Sequence, residues 1–260
     1  MSKIPIALQL YTVRDQALKD FEGTVRQVAE MGYAGVEFAG NYGLNPGDLS
    51  AESLAELLME TDLRVAGSHL GFRAFERELG RLVAYNLHID NRFVGVSSLP
   101  SEMRNADGYR RAAARMNQMG AELKDAGMVL YYHNHVFEFE SVDGVRGADI
   151  LYGETDPALV MLECDVYWAQ YAGADPADLI RAYSGRFPLV HLKDMIGEGE
   201  ERTDVEVGEG ELDFAPIFAA SEAQGVRWYI VELDHCPRPS LESARISLEN
   251  LRKWGKAEPR

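Results

Sequence analysis

The sequence contains little cysteine, since Cys164 and Cys236 are the only two among 260 residues. Two thiols cannot form the disulfide framework that holds small secreted proteins together. Long hydrophobic runs are also missing. No stretch approaches the length of a membrane span, and the apolar run that begins at Ile4 is too short for the core of a signal peptide. We therefore expect a cytoplasmic protein that has no membrane partner.

Basic residues are scarce relative to acidic ones. The 26 lysines and arginines are outnumbered by 42 aspartates and glutamates, and the formal net charge is -16. Because such a charge repels phosphate backbones, nucleic acid is not an expected partner. A small-molecule substrate is not excluded, since a metal ion can invert the potential inside one cleft. A homodimer is also compatible with this composition.

A glycine-rich phosphate-binding turn is missing where a dinucleotide-binding fold would place it. The first strand-like run is followed by Gln9-Leu10-Tyr11-Thr12, which offers no such turn. The chain does contain a series of β-branched and apolar runs that end in polar or turn residues. These runs predict eight strands, over residues 4–10, 35–38, 64–69, 93–96, 128–133, 160–165, 188–192 and 227–233.

Helical periodicity fills the intervals between these runs. The predicted helices span residues 21–31, 51–61, 76–87, 109–126, 147–152, 176–183, 214–223 and 241–254. Gly32 and Gly127 can adopt the left-handed conformation that closes a helix, and Asp175 precedes Pro176 as an N-cap. Strict alternation of eight strands with eight helices indicates an α/β fold, a single-domain (β/α)8 TIM barrel over residues 1–260.

Oxygen or nitrogen donors stand at the ends of three of the later strands. Asp165, His191 and Glu232 come at the predicted carboxyl ends of strands six, seven and eight. In a parallel barrel these ends meet at one mouth, where active sites lie. Burying such groups together without a cation would cost several kcal/mol. The set suits one divalent metal ion, which could be Mn²⁺, Mg²⁺, Co²⁺ or Zn²⁺.

The end of strand five carries a further group of candidates. His133 and His135 point the same way on a strand and could form a metal pair. Alternatively, one of the two rings bonds a neighbouring carboxylate and thereby orients it. Glu138 lies beyond the strand, where Phe137 and Phe139 flank it.

Other residues near the predicted mouth are candidates for substrate binding. Glu37 ends strand two and His69 ends strand three, while Tyr11 and Trp168 could form an apolar wall against a sugar ring. Lys193 could hold a substrate oxyanion, or it could neutralise Asp165 or Glu163. The predicted substrate contacts are Tyr11, Glu37, His69, His135, Trp168 and Lys193.

The segment Gly208-Glu209-Gly210 precedes a predicted helix, an arrangement that can bind phosphate. Glu206 and Glu211 make this loop locally acidic. An ordinary turn is therefore the favoured interpretation.

Several segments of the chain resemble one known group of enzymes. LQLYTVRD, GYAGVEFAG, YYHNHVFEF, LECDVYWAQYAGADP, FPLVHLKD, VGEGELDF and WYIVELD are similar to segments of the sugar phosphate isomerase/epimerase family, within the xylose isomerase-like TIM barrels. The resemblance spans essentially the whole chain and implies a metal-dependent enzyme of carbohydrate metabolism. Relatives include ketose 3-epimerases, hydroxypyruvate isomerase, keto-inositol dehydratases and endonuclease IV.

The resemblance also implies a ligand set: a glutamate after strand five, an aspartate after strand six, a histidine after strand seven and a glutamate after strand eight. The last three fall on Asp165, His191 and Glu232. At strand five, His133 stands in place of the glutamate, and the nearest carboxylate is Glu138. Either Glu138 folds back to the metal, or His133 or His135 replaces the missing ligand.

The chemistry that the resemblance implies is proton removal next to a carbonyl, with a metal-stabilised enediolate. We expect two groups on opposite faces of the substrate to remove this proton and to return one. Glu232 is the first, and Glu138, or failing it His133, is the second. Returning the proton gives an isomerase or epimerase of a sugar, a sugar phosphate or a keto-sugar. Loss of a β-hydroxyl instead gives a dehydratase or lyase of a keto-inositol or 3-keto-glycoside, with His69 or Lys193 as the acid. The remaining alternative is a non-catalytic sugar-binding barrel, which predicts no metal.

Overall fold

Eight parallel strands close into a barrel in the computed structural model, which describes residues 3–40 and 49–258. The strands are Ile6–Gln9 (β1), Gly35–Ala39 (β2), Arg64–Leu70 (β3), Phe93–Val96 (β4), Val129–His133 (β5), Val160–Asp165 (β6), Leu189–Leu192 (β7) and Trp228–Val231 (β8). Each strand pairs with its neighbours in chain order, and β8 closes the ring by pairing with β1. The predicted TIM barrel is therefore confirmed. Of the predicted range 1–260, residues 1–2, 41–48 and 259–260 lie outside the described residues.

Helices alternate with these strands. The main ones are Phe21–Met31 (α1), Ala51–Thr61 (α2), Phe72–His88 (α3), Ala106–Asp125 (α4), Gly147–Glu154 (α5), Pro176–Ala182 (α6), Phe214–Gln224 (α7) and Ser240–Lys253 (α8). Gly32 and Gly127 have φ of 92° and 75°, and Asp175 caps α6 by accepting a hydrogen bond from Asp178 N over 2.9 Å. The predicted stop and start signals therefore act as expected. Among the described residues, no helix is both long and apolar enough to cross a membrane.

One helix differs clearly from its prediction. The sequence predicted a helix over residues 76–87, whereas α3 begins at Phe72. Glu78 interrupts the helix with φ of -132° and ψ of 22°. Phe72 and Phe75 lie in the part of the helix before this kink, and both are buried. A single helical period does not run through the kink, so the pattern of the sequence indicated only the second part.

Two small antiparallel hairpins were also not predicted, because their strands are too short to show an alternating pattern. They pair Ser141–Val142 with Val145–Arg146 and Asp194–Ile196 with Thr203–Val205. In the second hairpin, Asp204 Oδ2 accepts hydrogen bonds from Asp234 N over 2.5 Å and from His235 N over 3.0 Å. This hairpin therefore holds the loop that follows β8.

Tyr131 fills the barrel beneath its polar mouth. It is fully buried, and it packs in a cluster with Ala7, Ala66, Leu189, Trp228 and Ile230. Two glycines, one on β4 and one on β3, make room for it. A Cβ on Gly95 would lie 2.1 Å from Tyr131 Cε2, and one on Gly67 would lie 2.6 Å from the hydroxyl oxygen. A larger side chain at either glycine would displace the ring.

Candidate metal centre

Four side chains from consecutive strands meet at the mouth of the barrel. His133 ends β5, Asp165 ends β6, His191 lies in β7 and Glu232 follows β8. All four are buried, and each offers one donor atom that lies within 4.8 Å of the other three. We call these residues the mouth group. Two nitrogens and two oxygens form a donor set that a divalent ion accepts.

Asp165 divides its two oxygens between a helix and the mouth group. Oδ1 accepts a hydrogen bond from Trp168 N over 3.0 Å and so caps the short helix after β6. Oδ2 is buried and accepts no hydrogen bond within the described part of the chain. It lies 3.9 Å from His133 Nε2 and 3.9 Å from His191 Nδ1. A buried carboxylate oxygen that accepts no hydrogen bond and faces two ring nitrogens fits a metal ligand, although Lys193 Nζ also lies 3.2 Å from it.

Lys193 lies against the mouth group and is completely buried. Its Nζ is 2.7 Å from Asp234 Oδ2, 2.9 Å from Glu232 Oε2 and 3.2 Å from Asp165 Oδ2. Although burial favours the neutral amine, these carboxylates hold the pKa of Lys193 well above its ordinary value. Lys193 therefore neutralises Asp165, one of the roles that the sequence left open. For Asp165, burial outweighs this neighbour and raises the pKa to about 6.

A second set of polar side chains lies deeper in the barrel. It consists of His69, His133, Glu163 and His191, and we call it the inner group. Glu163 Oε2 lies 2.6 Å from His69 Nε2 and 3.0 Å from His133 Nδ1, and Oε1 lies 3.3 Å from His191 Nε2. Burial alone would raise the pKa of Glu163, but His191 and His69 hold it well below its ordinary value. Glu163 was not predicted as a site residue, although its position two residues before Asp165 puts both on one face of β6.

Glu37 lies beside the inner group. Its Oε2 is 2.7 Å from His191 Nε2 and accepts a hydrogen bond from Gln9 Nε2 over 2.7 Å, while Tyr131 Oη donates to Oε1. Burial and the neighbouring Glu163 raise the pKa of Glu37. The structure does not bring Glu37, a predicted substrate contact, to the wall of the cavity. That Glu37 contacts a substrate stays a prediction.

His69 links the inner group to the cavity. Its Nε2 lies 2.6 Å from Glu163 Oε2 and 3.5 Å from Glu37 Oε2. Although burial opposes the charged form, these two carboxylates raise the pKa of His69 above its ordinary value. A protonated histidine at a cavity wall can donate a proton to a bound molecule.

The structure separates Glu138 from the mouth group. After β5 the chain turns through the 3-10 helix Phe137–Phe139, and the Glu138 carboxylate accepts hydrogen bonds from Tyr132 Oη and from His135 N, the latter over 2.8 Å. Burial raises the pKa of Glu138 to about 7. Of the alternatives at strand five, the geometry brings His133 to the other candidate ligands, and neither Glu138 nor His135. Burial also lowers the pKa of His133 to about 3, so its ring is neutral, the form that binds metals.

A cavity of about 100 Å³ opens beside the mouth group. The described residues that line it are Gln9, Tyr11, Ala39, His69, Ser97, Ser98, His133, His135, Glu232 and Asp234. Of the predicted substrate contacts, Tyr11, His69 and His135 therefore reach it. His135 Nδ1 is buried without a hydrogen-bond partner among the described residues, and Trp168 packs against this ring with centroids 5.8 Å apart. Trp168 and Lys193 are not among the described lining residues.

The Gly208-Glu209-Gly210 loop binds a carboxylate of the chain itself. Asp194 accepts hydrogen bonds from Gly208 N, Gly210 N and Leu212 N over 2.9 to 3.0 Å. The backbone groups that a phosphate would need are therefore taken. This arrangement agrees with the favoured interpretation of the loop as a turn.

Known proteins with the same barrel also match this chain. The family model described as Xylose isomerase-like TIM barrel matches residues 25–254. Inosose dehydratase from Clostridium botulinum (strain Alaska E43 / Type E3) is 26% identical over 256 residues, covering 84% of this chain and 83% of that protein. A sugar phosphate isomerase/epimerase from Parabacteroides distasonis ATCC 8503 superposes with a TM-score of 0.85 at 24% identity, over 99% of this chain and 96% of that one.

A structure of L-ribulose 3-epimerase superposes with a TM-score of 0.70 at 20% identity, over 98% of this chain and 97% of that one. At such identities the two solved structures show a shared fold. The family model is stronger evidence of membership, because it matches the sequence itself from residue 25 to residue 254. The chain belongs to the Xylose isomerase-like TIM barrel family.

Proposed function

We propose that this protein is a divalent-metal enzyme that removes a proton next to the carbonyl of an uncharged keto-sugar or keto-cyclitol and then eliminates water. The observation that carries the proposal is that one cavity is lined by a carboxylate and by a histidine that two buried carboxylates face. Glu232 belongs to the mouth group, Glu37 and Glu163 raise the pKa of His69, and both Glu232 and His69 line the cavity. The similarity to an inosose dehydratase over most of the chain supports the same class of reaction.

The mouth group would hold the metal. His133, Asp165, His191 and Glu232 supply four donors, and Asp165 Oδ2 lies 3.9 Å from a ring nitrogen of each histidine. When bound, a divalent ion there would polarise the substrate carbonyl and so acidify the neighbouring C–H group.

Two residues would then move protons. Glu232 accepts the proton from the carbon next to the carbonyl, and His69 gives its proton to the hydroxyl on the following carbon, which leaves as water. The C–H and C–O bonds break and a C=C bond forms, so the reaction needs no oxidant. Glu232 then returns its proton to solvent, and His69 takes one up.

The cavity favours an uncharged substrate. None of the described residues that line it is a lysine or arginine, and Lys193 is closed off by carboxylates. The glycine loop offers no free N–H group to a phosphate, because Asp194 occupies it. His135 Nδ1 and the hydroxyls of Ser97 and Ser98 suit the hydroxyl groups of a sugar ring.

The predicted isomerase or epimerase activity is the second candidate. It uses the same proton removal by Glu232 and agrees with the barrels of known isomerases and epimerases. Epimerisation also needs a second proton carrier on the opposite face of the substrate. Glu138, the first candidate from the sequence for that role, bonds to Tyr132 outside the mouth group, and His133, the second candidate, belongs to the mouth group itself. This favours elimination over epimerisation.

An NMR experiment in deuterated water separates the two reactions. The Mn²⁺-loaded protein is first assayed with a keto-inositol and a panel of ketoses, and the quenched samples are freed of metal before spectra are recorded. Elimination predicts an unsaturated ketone that absorbs in the ultraviolet, whereas isomerisation predicts deuterium in a recovered ketose without water loss. His69→Gln should lose elimination yet retain deuterium exchange. If no compound shows either reaction, the proposal is wrong.

A further inference from the structure

The two histidines of the mouth group each turn one ring nitrogen toward the barrel interior. His133 faces Asp165 with Nε2 and Glu163 with Nδ1, at 3.0 Å from the Glu163 carboxylate. His191 is turned the other way, with Nδ1 at 3.0 Å from Glu232 in the mouth group and Nε2 at 2.7 Å from Glu37 and 3.3 Å from Glu163. Two rings of opposite orientation therefore end on two different buried carboxylates.

A neutral imidazole binds a metal through the nitrogen that lacks a proton, so the proton must sit on the other nitrogen. A carboxylate at hydrogen-bond distance holds the proton there and fixes the ring. For His133 this places the proton on Nδ1, and for His191 on Nε2. Each ring then offers its bare nitrogen to the mouth.

The two carboxylates that these rings meet, Glu163 and Glu37, are themselves held by hydrogen bonds. Glu37 accepts hydrogen bonds from Gln9 and Tyr131, and Glu163 bonds to His69 over 2.6 Å. Both glutamates are fully buried. Such acceptors cannot swing to another partner, so the orientation that they impose on a ring is rigid.

We propose that Glu163 and Glu37 are positioning residues, which fix the tautomers of His133 and His191 so that both rings bind one divalent ion in the mouth group. This inference rests on the metal site of the proposed function. The inner group is accordingly not a second metal site. An ion there would take the remaining nitrogen of both rings, and each imidazole would have to lose its last proton.

Metal titration of glutamine variants tests the proposal. Protein dialysed against a chelator is titrated with Mn²⁺ by calorimetry for the wild type, Glu163→Gln and Glu37→Gln. We expect each variant to bind about 10- to 100-fold more weakly, the usual effect of losing such a partner. Glu206→Gln is the matched control, because Glu206 is also fully buried and bonds to Ser243 and Arg238 away from the mouth. Its Mn²⁺ affinity should be unchanged.

A merely structural role would not alter the metal response. It would lower the melting temperature of the metal-free protein, as Glu206→Gln should, and leave the Mn²⁺ affinity intact. ¹⁵N NMR of histidine-labelled wild-type protein with Zn²⁺ gives an independent reading that needs no variant. The expected spectrum has protonated Nδ1 on His133 and protonated Nε2 on His191.

The opposite tautomers, or unchanged Mn²⁺ affinity in both glutamine variants, would overturn this inference while leaving the proposed function standing. If the wild type binds no divalent ion, the inference and the proposed function both fail.

Discussion

Lys193 Nζ lies 2.7 Å from Asp234 Oδ2, inside a cluster that also holds the carboxylates of Asp165 and Glu232. Three carboxylates thus share one ammonium. When all three are ionised the cluster carries two uncompensated negative charges, which one divalent ion would neutralise. Charge as well as donor type therefore suits a metal in the mouth group.

Lys193→Met should make the stability of the protein depend more strongly on metal. Removing one partner of a buried ion pair costs about 3–5 kcal/mol, and here it takes away the ammonium that three carboxylates share. Bound Mn²⁺ should offset part of this loss, so the metal-induced rise in melting temperature should be larger in the variant. Thermal unfolding with chelator and with Mn²⁺ measures both values. An equal loss under the two conditions would contradict the charge argument.

Two variants decide which residue completes the site at strand five. His133→Asn removes a donor of the mouth group and should weaken Mn²⁺ binding by at least about 10-fold. Glu138→Gln should leave the affinity nearly unchanged, since its carboxylate bonds to Tyr132 and to His135 N. Calorimetric titration measures both. The reverse ranking would restore Glu138 as the ligand.

The ionisation of Glu138 should make stability depend on pH. Burial raises its folded pKa from 4.5 to about 7, so folding favours the protonated acid. Its stabilising contribution is full below pH 4.5 and is lost as the pH rises through about 7. Glu138→Gln lacks this ionisation, so the wild type should lose up to a few kcal/mol relative to it across that window. Urea unfolding on both sides of the window tests the shift, and a constant difference would refute it.

Asp194→Asn should destabilise the loop that begins at Gly208. The Asp194 carboxylate accepts hydrogen bonds from Met195 N, Gly208 N, Gly210 N and Leu212 N. Asparagine turns one of the two acceptors into a donor, and we expect a loss of about 1–3 kcal/mol in unfolding free energy. Asp213→Asn is the control, because that side chain only caps α7 and asparagine caps equally well. Equal losses of unfolding free energy in the two variants would show that the hydrogen bonds to Asp194 add no particular stability to this loop.

The sequence was sufficient to predict the barrel and most of its mouth. Eight alternating runs indicated the fold, and the residues at strand ends indicated Asp165, His191 and Glu232, because strand parity alone selects the inward side chains. The same reasoning placed His69 and His135 near the mouth, where both line the cavity, and their contact with a substrate stays a prediction. These features depend only on local pattern and on the rule that parallel strand ends converge.

The contacts of Glu163 and the position of Glu138 were beyond the reach of that reasoning. Glu163 meets three histidines from three other strands, a contact that depends on the stagger of the barrel. Glu138 lies in a short 3-10 turn after β5 and bonds to Tyr132 and to His135 N, and three residues carry too little periodicity to predict this turn. Asp194 was missed for a similar reason, since its hairpin strands have three residues each.

The central claim is that the mouth group binds one divalent ion, and calorimetric titration of the chelator-treated wild type with Mn²⁺ tests it most directly. The account predicts saturable binding of one ion per chain, which is lost when Asp165 and Glu232 are both replaced by their amides. It also predicts that the bound ion raises the melting temperature. A wild type that binds no Mn²⁺, Co²⁺, Zn²⁺ or Mg²⁺, or a double variant that binds Mn²⁺ as well as the wild type does, would contradict it.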